Sequence, residues 1–588
     1  MSTCRRFFIL FTCLLLSGCV TDRLKFWDSG LEKEYDVSGI DDRTDLKTYI
    51  ETIVESGRED ALAEDEEQEY RDETIRLNVL KALRSRGYYA AAVTFTNVSD
   101  TDADETKGVF DIRTGKQALI SSVSVVPNSF QHYLDEISLK AGDPLSAEKV
   151  LAAQAKLYRI IEQESCAYNL TVTHRVGLDQ QTYEADVIFE IEKGKDAQFG
   201  ALTYSGADKV EREYIDKVIT WNKGGCFKHS KIDSVKEKLL ATGLFSRVEA
   251  VLPENAKASD VIPVELALRE RAARTISAGM SYYTDEGVGV ILGWEHRNLL
   301  GQGERFNADL TLSLLEQTLE GTLSKPYFMR NDQTLNMNSF VKREDTDAYE
   351  SFGLGGGFGV KRVFNKNLTG SVGADVELTR IKEENKTTDN FALFSPNASI
   401  TYDSRDDELD PHKGVLAKFS VVPTLDMFGE SNPYVTNKLS AQSYYEVHKK
   451  LVLAGRINVG SIVGSNAESL PVSKLFFAGG GGSVRGFGYQ EVGPFEDGDP
   501  QGGRSLIETS LELRYKATDT LGAVAFVDMG EVDNKILPSL EDPSIGAGLG
   551  FRYYTDFGPL RFDVGVPLSG DENTDENFQV YISIGQAF

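Results

Sequence analysis

The stretch that decides the fold is SLIETSLELRYKA, Ser505 to Ala517. Ile507, Thr509, Leu511, Leu513, Tyr515 and Ala517 fall on one side of it, and Glu508, Ser510, Glu512, Arg514 and Lys516 on the other. Successive side chains of an extended strand point to opposite faces, so this alternation is a strand with one apolar and one polar face. RFNADLTLSLL reads the same way, with Phe306, Ala308, Leu310, Leu312 and Leu314 opposite Asn307, Asp309, Thr311 and Ser313. From Arg274 to the end, helical periodicity is absent and strands of about ten residues alternate with turns rich in Gly, Asn and Asp.

A soluble sandwich alternates too. A membrane barrel is favoured by an N-terminal export signal, by the length and number of the segments, and by arithmetic. At about 20 residues per strand and turn, the chain from Arg274 onward gives about sixteen strands, an even number suited to an outer-membrane barrel. Every backbone polar group in hydrocarbon must be paired, so the sheet has to close on itself. No run of 18 apolar residues offers a helical span. The last strand, NFQVYISIGQAF, puts Phe578, Val580, Ile582, Ile584 and Phe588 on one face, interrupted only by Gln586.

The chain has 588 residues, too many for one ordinary core, and a formal charge of −28 that repels nucleic acid. Its start, MSTCRRFFILFTCLLLSGCVTD, places Arg5 and Arg6 before an apolar run, then small residues and Cys19, as an export signal does. Leu16-Ser17-Gly18-Cys19 matches a lipobox, which makes Cys19 a candidate lipidated N-terminus; an ordinary signal peptide containing a cysteine is the alternative. Val20 in place of Asp after Cys19 favours the outer membrane. Cleavage there leaves Cys166 and Cys226 as thiols in an oxidising compartment, where a disulfide is permitted and free or buried thiols are the alternative.

Between the signal and the barrel the periodicity repeats. ISSVSVV, then SAEKVLAAQAKLYRIIEQ, then NLTVTHRV and YEADVIFEIEKG read as a β-α-β-β unit of about 75 residues. A unit before it runs from YDVSGI through a long helical stretch to YYAAAVTF and GVFDIRTG. The one after it runs from FGALTYSG through helices at Glu211 and Ser230 to FSRVEAVL and DVIPVELALRE. The organisation is 1–19 signal, 30–116, 117–195 and 196–272 repeats, and 273–588 barrel with a long loop at 465–503, which the resemblance described below implies to fold inward. The acidic run Arg58 to Glu73 reads as a solvated helix face.

The loop carries LFFAGGGGSVRGFGYQ, Leu475 to Gln490. A phosphate loop needs glycines opening a helix with a Lys-Ser/Thr pair, and the residues after Gly482 are turn-rich and lack lysine. GAGLG, Gly546 to Gly550, lies in strand-like surroundings, where glycine marks a bend or the close approach of another backbone. No nucleophile, metal or cofactor motif is present, and the six histidines are scattered.

Val484-Arg485-Gly486-Phe487 resembles the VRGF signature of the outer-membrane assembly and translocation superfamily that carries POTRA domains before a 16-stranded barrel, the BamA/TamA family. GWEHRNLLGQGE, YDSRDDELDPHKG, AFVDMGEV and IGAGLGFRYYTDFGPLRFDVGVP agree in order, and GCFKHSKIDSVKEKLLATGLFSRVEAV resembles a POTRA repeat. Three repeats make the chain most similar to the TamA-like branch. The resemblance implies an α+β series of tandem POTRA repeats followed by an all-β transmembrane antiparallel barrel in the bacterial outer membrane, with the repeats in the periplasm. It implies a loop folded into the lumen, Arg485 paired with Glu512 and Asp528 on the inner wall, and Phe588 as barrel-recognition signal.

Parity supports Glu512 independently and puts Asp528 on the face of Phe526, so a lumenal Asp528 requires a lumenal phenylalanine. The implied activity is insertion or translocation of outer-membrane and autotransporter proteins without a cofactor or covalent chemistry. It would use the POTRA repeats and the seam between RTISAGMSYY and the last strand. Implied partners are unfolded outer-membrane clients, outer-membrane lipids and a TamB-like inner-membrane protein. A transporter for one dedicated exoprotein and a passive porin are the alternatives.

Overall fold

The computed structural model describes residues 35–63, 68–99, 106–252, 260–383, 387–555, 558–569 and 578–584. Cys19, the export signal and Phe588 lie outside the described residues.

Three modules precede the barrel, each built on a three-stranded sheet whose last strand in sequence lies at the centre. The first has β1 (Tyr35–Ser38), α1 (Thr44–Ala63), α2 (Gln68–Ser85), β2 (Ala92–Ser99) and β3 (Thr106–Arg113), in sheet order β1-β3-β2. The second has β4 (Leu119–Val126), α3 (Ala147–Glu164), β5 (Leu170–Asp179) and β6 (Glu184–Lys193), in order β4-β6-β5. The third has β7 (Gln198–Ser205), α4 (Arg212–Val218), α5 (His229–Ala241), β8 (Phe245–Val251) and β9 (Val261–Glu270), in order β7-β9-β8.

The second module shows why these segments fold so. Val150, Ala153, Leu157 and Ile161 recur at helical spacing on α3 and are buried. Ala185, Val187, Phe189 and Ile191 recur at every second position on β6 and are buried against them. A 3.6-residue period thus meets a two-residue period in one core. In the first module the expected long helix is two helices, and the acidic run is not wholly solvated. Asp72 is buried and accepts a hydrogen bond from the Tyr35 hydroxyl at 2.6 Å, because α2 turns that face onto β1.

By compactness the chain forms two units, one of residues 1–201, 222–230 and 252–264 and the other comprising the remainder. Within the first, Cys166 and Cys226 form a disulfide with Cα atoms 5.1 Å apart. Ser230 N also donates to the buried Glu162 at 2.7 Å, and Ala197 N to Cys166 O at 2.8 Å.

The second unit contains a closed barrel. Its strands are β10 (Arg274–Tyr283), β11 (Gly287–His296), β12 (Arg305–Leu312), β13 (Glu316–Pro326), β14 (Gln333–Asp345), β15 (Glu350–Asn365), β16 (Leu368–Lys382) and β17 (Asp389–Asp403). They continue with β18 (Gly414–Asp426), β19 (Tyr434–His448) and β20 (Leu451–Val463). After a long loop that holds the short pair β21 (Phe495–Glu496) and β22 (Asp499–Pro500) come β23 (Ser505–Lys516), β24 (Leu521–Asp533), β25 (Ser544–Thr555), β26 (Gly558–Ser569) and β27 (Gln579–Ile584). Sixteen of these strands, all but β21 and β22, pair antiparallel in sequence order, and β27 returns to β10.

The alternation places Leu511, Leu513 and Tyr515 on the exposed outer face and Glu508, Ser510, Glu512 and Arg514 on the buried inner one. On β27, Phe578, Ile582 and Ile584 are likewise outward and exposed. The turn after β11 packs beneath α4. Glu211 N donates to Gly301 O at 2.8 Å, and the rings of Tyr214 and Tyr327 lie 5.4 Å apart.

Candidate functional site

The long loop between β20 and β23 folds against the inner wall made by β23 to β26. Register sets up the floor on which it rests. Ser510, Asp528 and Gly546 lie side by side across β23, β24 and β25; the next inward row is Glu512, Phe526 and Gly548. Gly550 and Asp563 follow across β25 and β26. Three successive inward positions of β25 are thus Gly546, Gly548 and Gly550, a strip without side chains that ends at the buried Arg552.

That strip is what lets the loop sit down. A Cβ on Gly546 would overlap Arg485 O, and one on Gly548 would overlap the Phe526 ring. The GAGLG run is therefore a close approach of two backbones. The loop itself turns at Gly486, whose φ of +101° is a region that favours glycine.

Arg485 is 2 % exposed and uses its whole guanidinium. It grips Asp528 in a bidentate manner, Nε to Oδ2 at 2.6 Å and Nη2 to Oδ1 at 2.9 Å, and its backbone N donates to the same carboxylate at 3.1 Å. Nη1 lies 2.7 Å from Glu512 Oε1, an ionic approach without hydrogen-bond alignment, and donates to Asp563 Oδ2 at 3.1 Å. Nη2 also donates to Ser510 Oγ at 3.2 Å. Both expected partners, Glu512 and Asp528, are in place.

The lumenal phenylalanine now has a role. The Arg485 guanidinium lies over the Phe526 ring with 3.5 Å from Cζ to the centroid. A weakly hydrated planar cation on an aromatic face is a favourable contact where water is excluded. Phe526 and Asp528 share a face because one supplies the platform and the other the counter-charge.

Further buried charges surround the motif. Arg514 pairs with Glu512 at 2.8 Å, Arg561 with Asp563 at 2.6 Å, and Arg552 with Asp563 at hydrogen-bonding distance. Arg456 donates to the carbonyls of Gly482 and Ser483, each at 2.9 Å. The glycines 479 to 482 are therefore not a loose tether, as their composition suggests, because Gly480 N also donates to Phe487 O at 3.1 Å. Asp563, Arg552, Arg561, Ser510 and Tyr581 were absent from the sequence expectation. A signal existed in LRFDVGVP, where Arg561 and Asp563 alternate with Leu560, Phe562 and Val564.

Burying ions is costly unless each is matched, so a network this dry is stable only while complete. What the arrangement does is fasten a loop to a wall.

Residues 298–588 match the Omp85 superfamily domain. The chain belongs to the Omp85 superfamily. Within that superfamily it is of the BamA/TamA type, an outer-membrane barrel with its POTRA modules in the periplasm. This Omp85 chain is 23 % identical over 439 residues to the outer membrane protein assembly factor BamA of Nitratidesulfovibrio vulgaris, covering 71 % of the chain and 54 % of that relative. It is 21 % identical over 578 residues to BamA of Neisseria meningitidis, covering 86 % and 71 %. The chain thus spans about half the length of the first of these. The crystal structure of Haemophilus ducreyi BamA lacking POTRA domains 1–3 shares the fold with a TM-score of 0.68 at 17 % identity, over 80 % of this chain and all of that one.

Proposed function

We propose that this Omp85 chain is an outer-membrane translocation and assembly factor that helps insert or translocate outer-membrane and autotransporter proteins, and that it does so without catalysing a covalent reaction. The observation that carries this reading is the seam. β10 is paired with β11 from Arg274 to Tyr283, whereas on its other edge only Tyr282 with Ile582 and Tyr283 with Tyr581 pair among the described residues. A strand edge with unused backbone donors and acceptors is a template for another strand.

The modules support the same reading. β2, β5 and β8 are marginal strands of their sheets, and an extended client could add to such an edge by β-augmentation. Clients would be unfolded outer-membrane proteins; outer-membrane lipids and a TamB-like inner-membrane partner complete the proposed setting. Lipid attachment at Cys19 belongs to the proposal and is tested by mass spectrometry of the mature N-terminus.

The test of the function locks the seam. Tyr282→Cys with Ile582→Cys places two cysteines opposite each other in register. Oxidation is expected to stop client insertion and reduction to restore it. Undiminished insertion by the oxidised protein would exclude the seam as the route. Depletion of the chain is expected to lower many outer-membrane barrel proteins, whereas loss of a single exoprotein would favour the dedicated transporter.

A further inference from the structure

The seam and the loop meet at one side chain. Tyr581 on β27 pairs in register with Tyr283 of β10 on one side and with Asp563 of β26 on the other. Its ring is fully buried and meets that of Tyr283 edge-on at 5.5 Å between centroids. The glycine run packs against this pair. A Cβ on Gly481 would lie 2.7 Å from the Tyr581 ring and 3.3 Å from that of Tyr283.

The Tyr581 hydroxyl then reaches the loop motif itself. It accepts a hydrogen bond from Gly486 N at 3.0 Å and donates one to Phe487 O at 3.3 Å. A phenol has one proton to give and lone pairs to receive, so both capacities are spent on adjacent peptide groups of the motif. The carboxylates that hold Arg485 lie on β23, β24 and β26. The Arg485 side chain therefore fastens the loop to the wall, and Tyr581 to the seam.

We infer that Tyr581 is a positioning residue that couples the lumenal loop to the seam. β27 is joined to β10 by two register pairs among the described residues, extended at Thr284 by its bonds to Val580, so on this short seam the bonds from Tyr581 to the loop add a second attachment on the inner face. Parting β10 from β27 displaces Tyr581 and releases Gly486 and Phe487; withdrawing the loop removes the support beneath β27. The consequence for clients, that an incoming strand would also loosen the loop, rests on the assembly reading. The coupling itself does not, and it is tested without a client.

Val484 is fully buried in the loop motif, so Val484→Cys reports loop release through its rate of labelling by a water-soluble maleimide. Labelling is measured on the full chain in membranes, by mass spectrometry of the peptide containing position 484, with the Tyr282→Cys and Ile582→Cys seam lock oxidised or reduced. With Tyr581 present, oxidation is expected to slow labelling about tenfold, the equivalent of ~1.4 kcal/mol. In the Tyr581→Phe protein, which keeps the ring and loses both bonds, the oxidised and reduced rates are expected to agree within about twofold.

Tyr283→Phe, which touches the seam and makes no bond to the motif, is expected to behave as the parent. No effect of oxidation in the parent, an equal effect in Tyr581→Phe, or loss of the effect in Tyr283→Phe would overturn the coupling. If Tyr581→Phe yields no folded barrel, the parent comparison and Tyr283→Phe still decide.

Discussion

Two stretches of the same barrel, read from equally regular alternation, have opposite inner surfaces. On β24 inward and outward positions alternate between buried and exposed along most of the strand, because the loop covers the inner face. On β10 the residues Arg274 to Ala278 are exposed on both faces, Thr275 and Ser277 as well as Ile276. Among the described residues the second stretch is hydrogen-bonded to β11 along one edge. The contrast teaches that closure of this barrel is not uniform: one wall is fixed by matched buried charge, whereas the seam edge of the first strand has two register pairs among the described residues.

The largest break in the comparison is expected from Arg485→Ala, which strands Glu512, Asp528 and Asp563 on a dry wall. Removing one partner of a buried ion network costs about 3–5 kcal/mol. The yield of heat-modifiable barrel is expected to collapse, with Arg485→Lys rescuing it only in part because the bidentate grip is lost. Arg405→Ala is the matched control. Arg405 makes a single bidentate pair with Asp403, at 2.9 Å, on a side chain 15 % exposed against 2 % for Arg485, so its loss strands one partly exposed carboxylate and is expected to lower the yield less than Arg485→Ala does.

The same substitution at two inward glycines sharpens the contrast. Gly546→Ala must push the backbone of Arg485 away and is expected to cost about 1–3 kcal/mol, read as a lower denaturation midpoint. Gly279→Ala on β10 meets nothing closer than Ile291 at 3.9 Å, and its midpoint is expected to match the parent. Phe526→Leu removes the aromatic platform and keeps an apolar side chain; a loss of about 0.5–2 kcal/mol is expected. A midpoint unchanged by Phe526→Leu would mean that the carboxylates alone hold Arg485.

The smallest effect concerns the turn between β17 and β18. Asp406 Oδ1 accepts hydrogen bonds from His412 N and Lys413 N, each at 3.0 Å. Burial pushes its carboxyl up, but the backbone donors of Lys413 and His412 outweigh burial and hold it below its ordinary value. A carboxyl depressed by folding contributes stability above its unfolded pKa and loses it as the pH falls through the folded value. Exchange at the His412 and Lys413 amides, corrected for intrinsic rates, is therefore expected to accelerate below about pH 4. Asp406→Asn is expected to show that acceleration at neutral pH, while the Arg485 wall is unaffected.

Much of this arrangement was legible before folding. SLIETSLELRYKA specified a barrel strand and put Glu512 inward, because strand parity is a local property of the backbone. Helical spacing in SAEKVLAAQAKLYRIIEQ found α3, and the resemblance around Arg485 supplied Asp528. Parity also put Phe526 inward but could not say why, since its partner lies on a loop some forty residues away. That the long helical stretch holds two helices, α1 and α2, was missed because both carry the same charged, helix-forming composition.

By itself the sequence determined which residues of the barrel strands point outward and which point to the lumen, and that the glycines do not open a helix. Only the tertiary structure decided that the glycines 479 to 482 lie against the seam tyrosines and that Asp563 joins Arg485. It likewise decided that Cys166 meets Cys226 and that Tyr581 touches both loop and seam. Alternation fixes the direction of a side chain from its immediate neighbours, whereas these contacts join segments up to about three hundred residues apart, as Tyr283 and Tyr581 are, and their distances exist only once the barrel has closed around its loop.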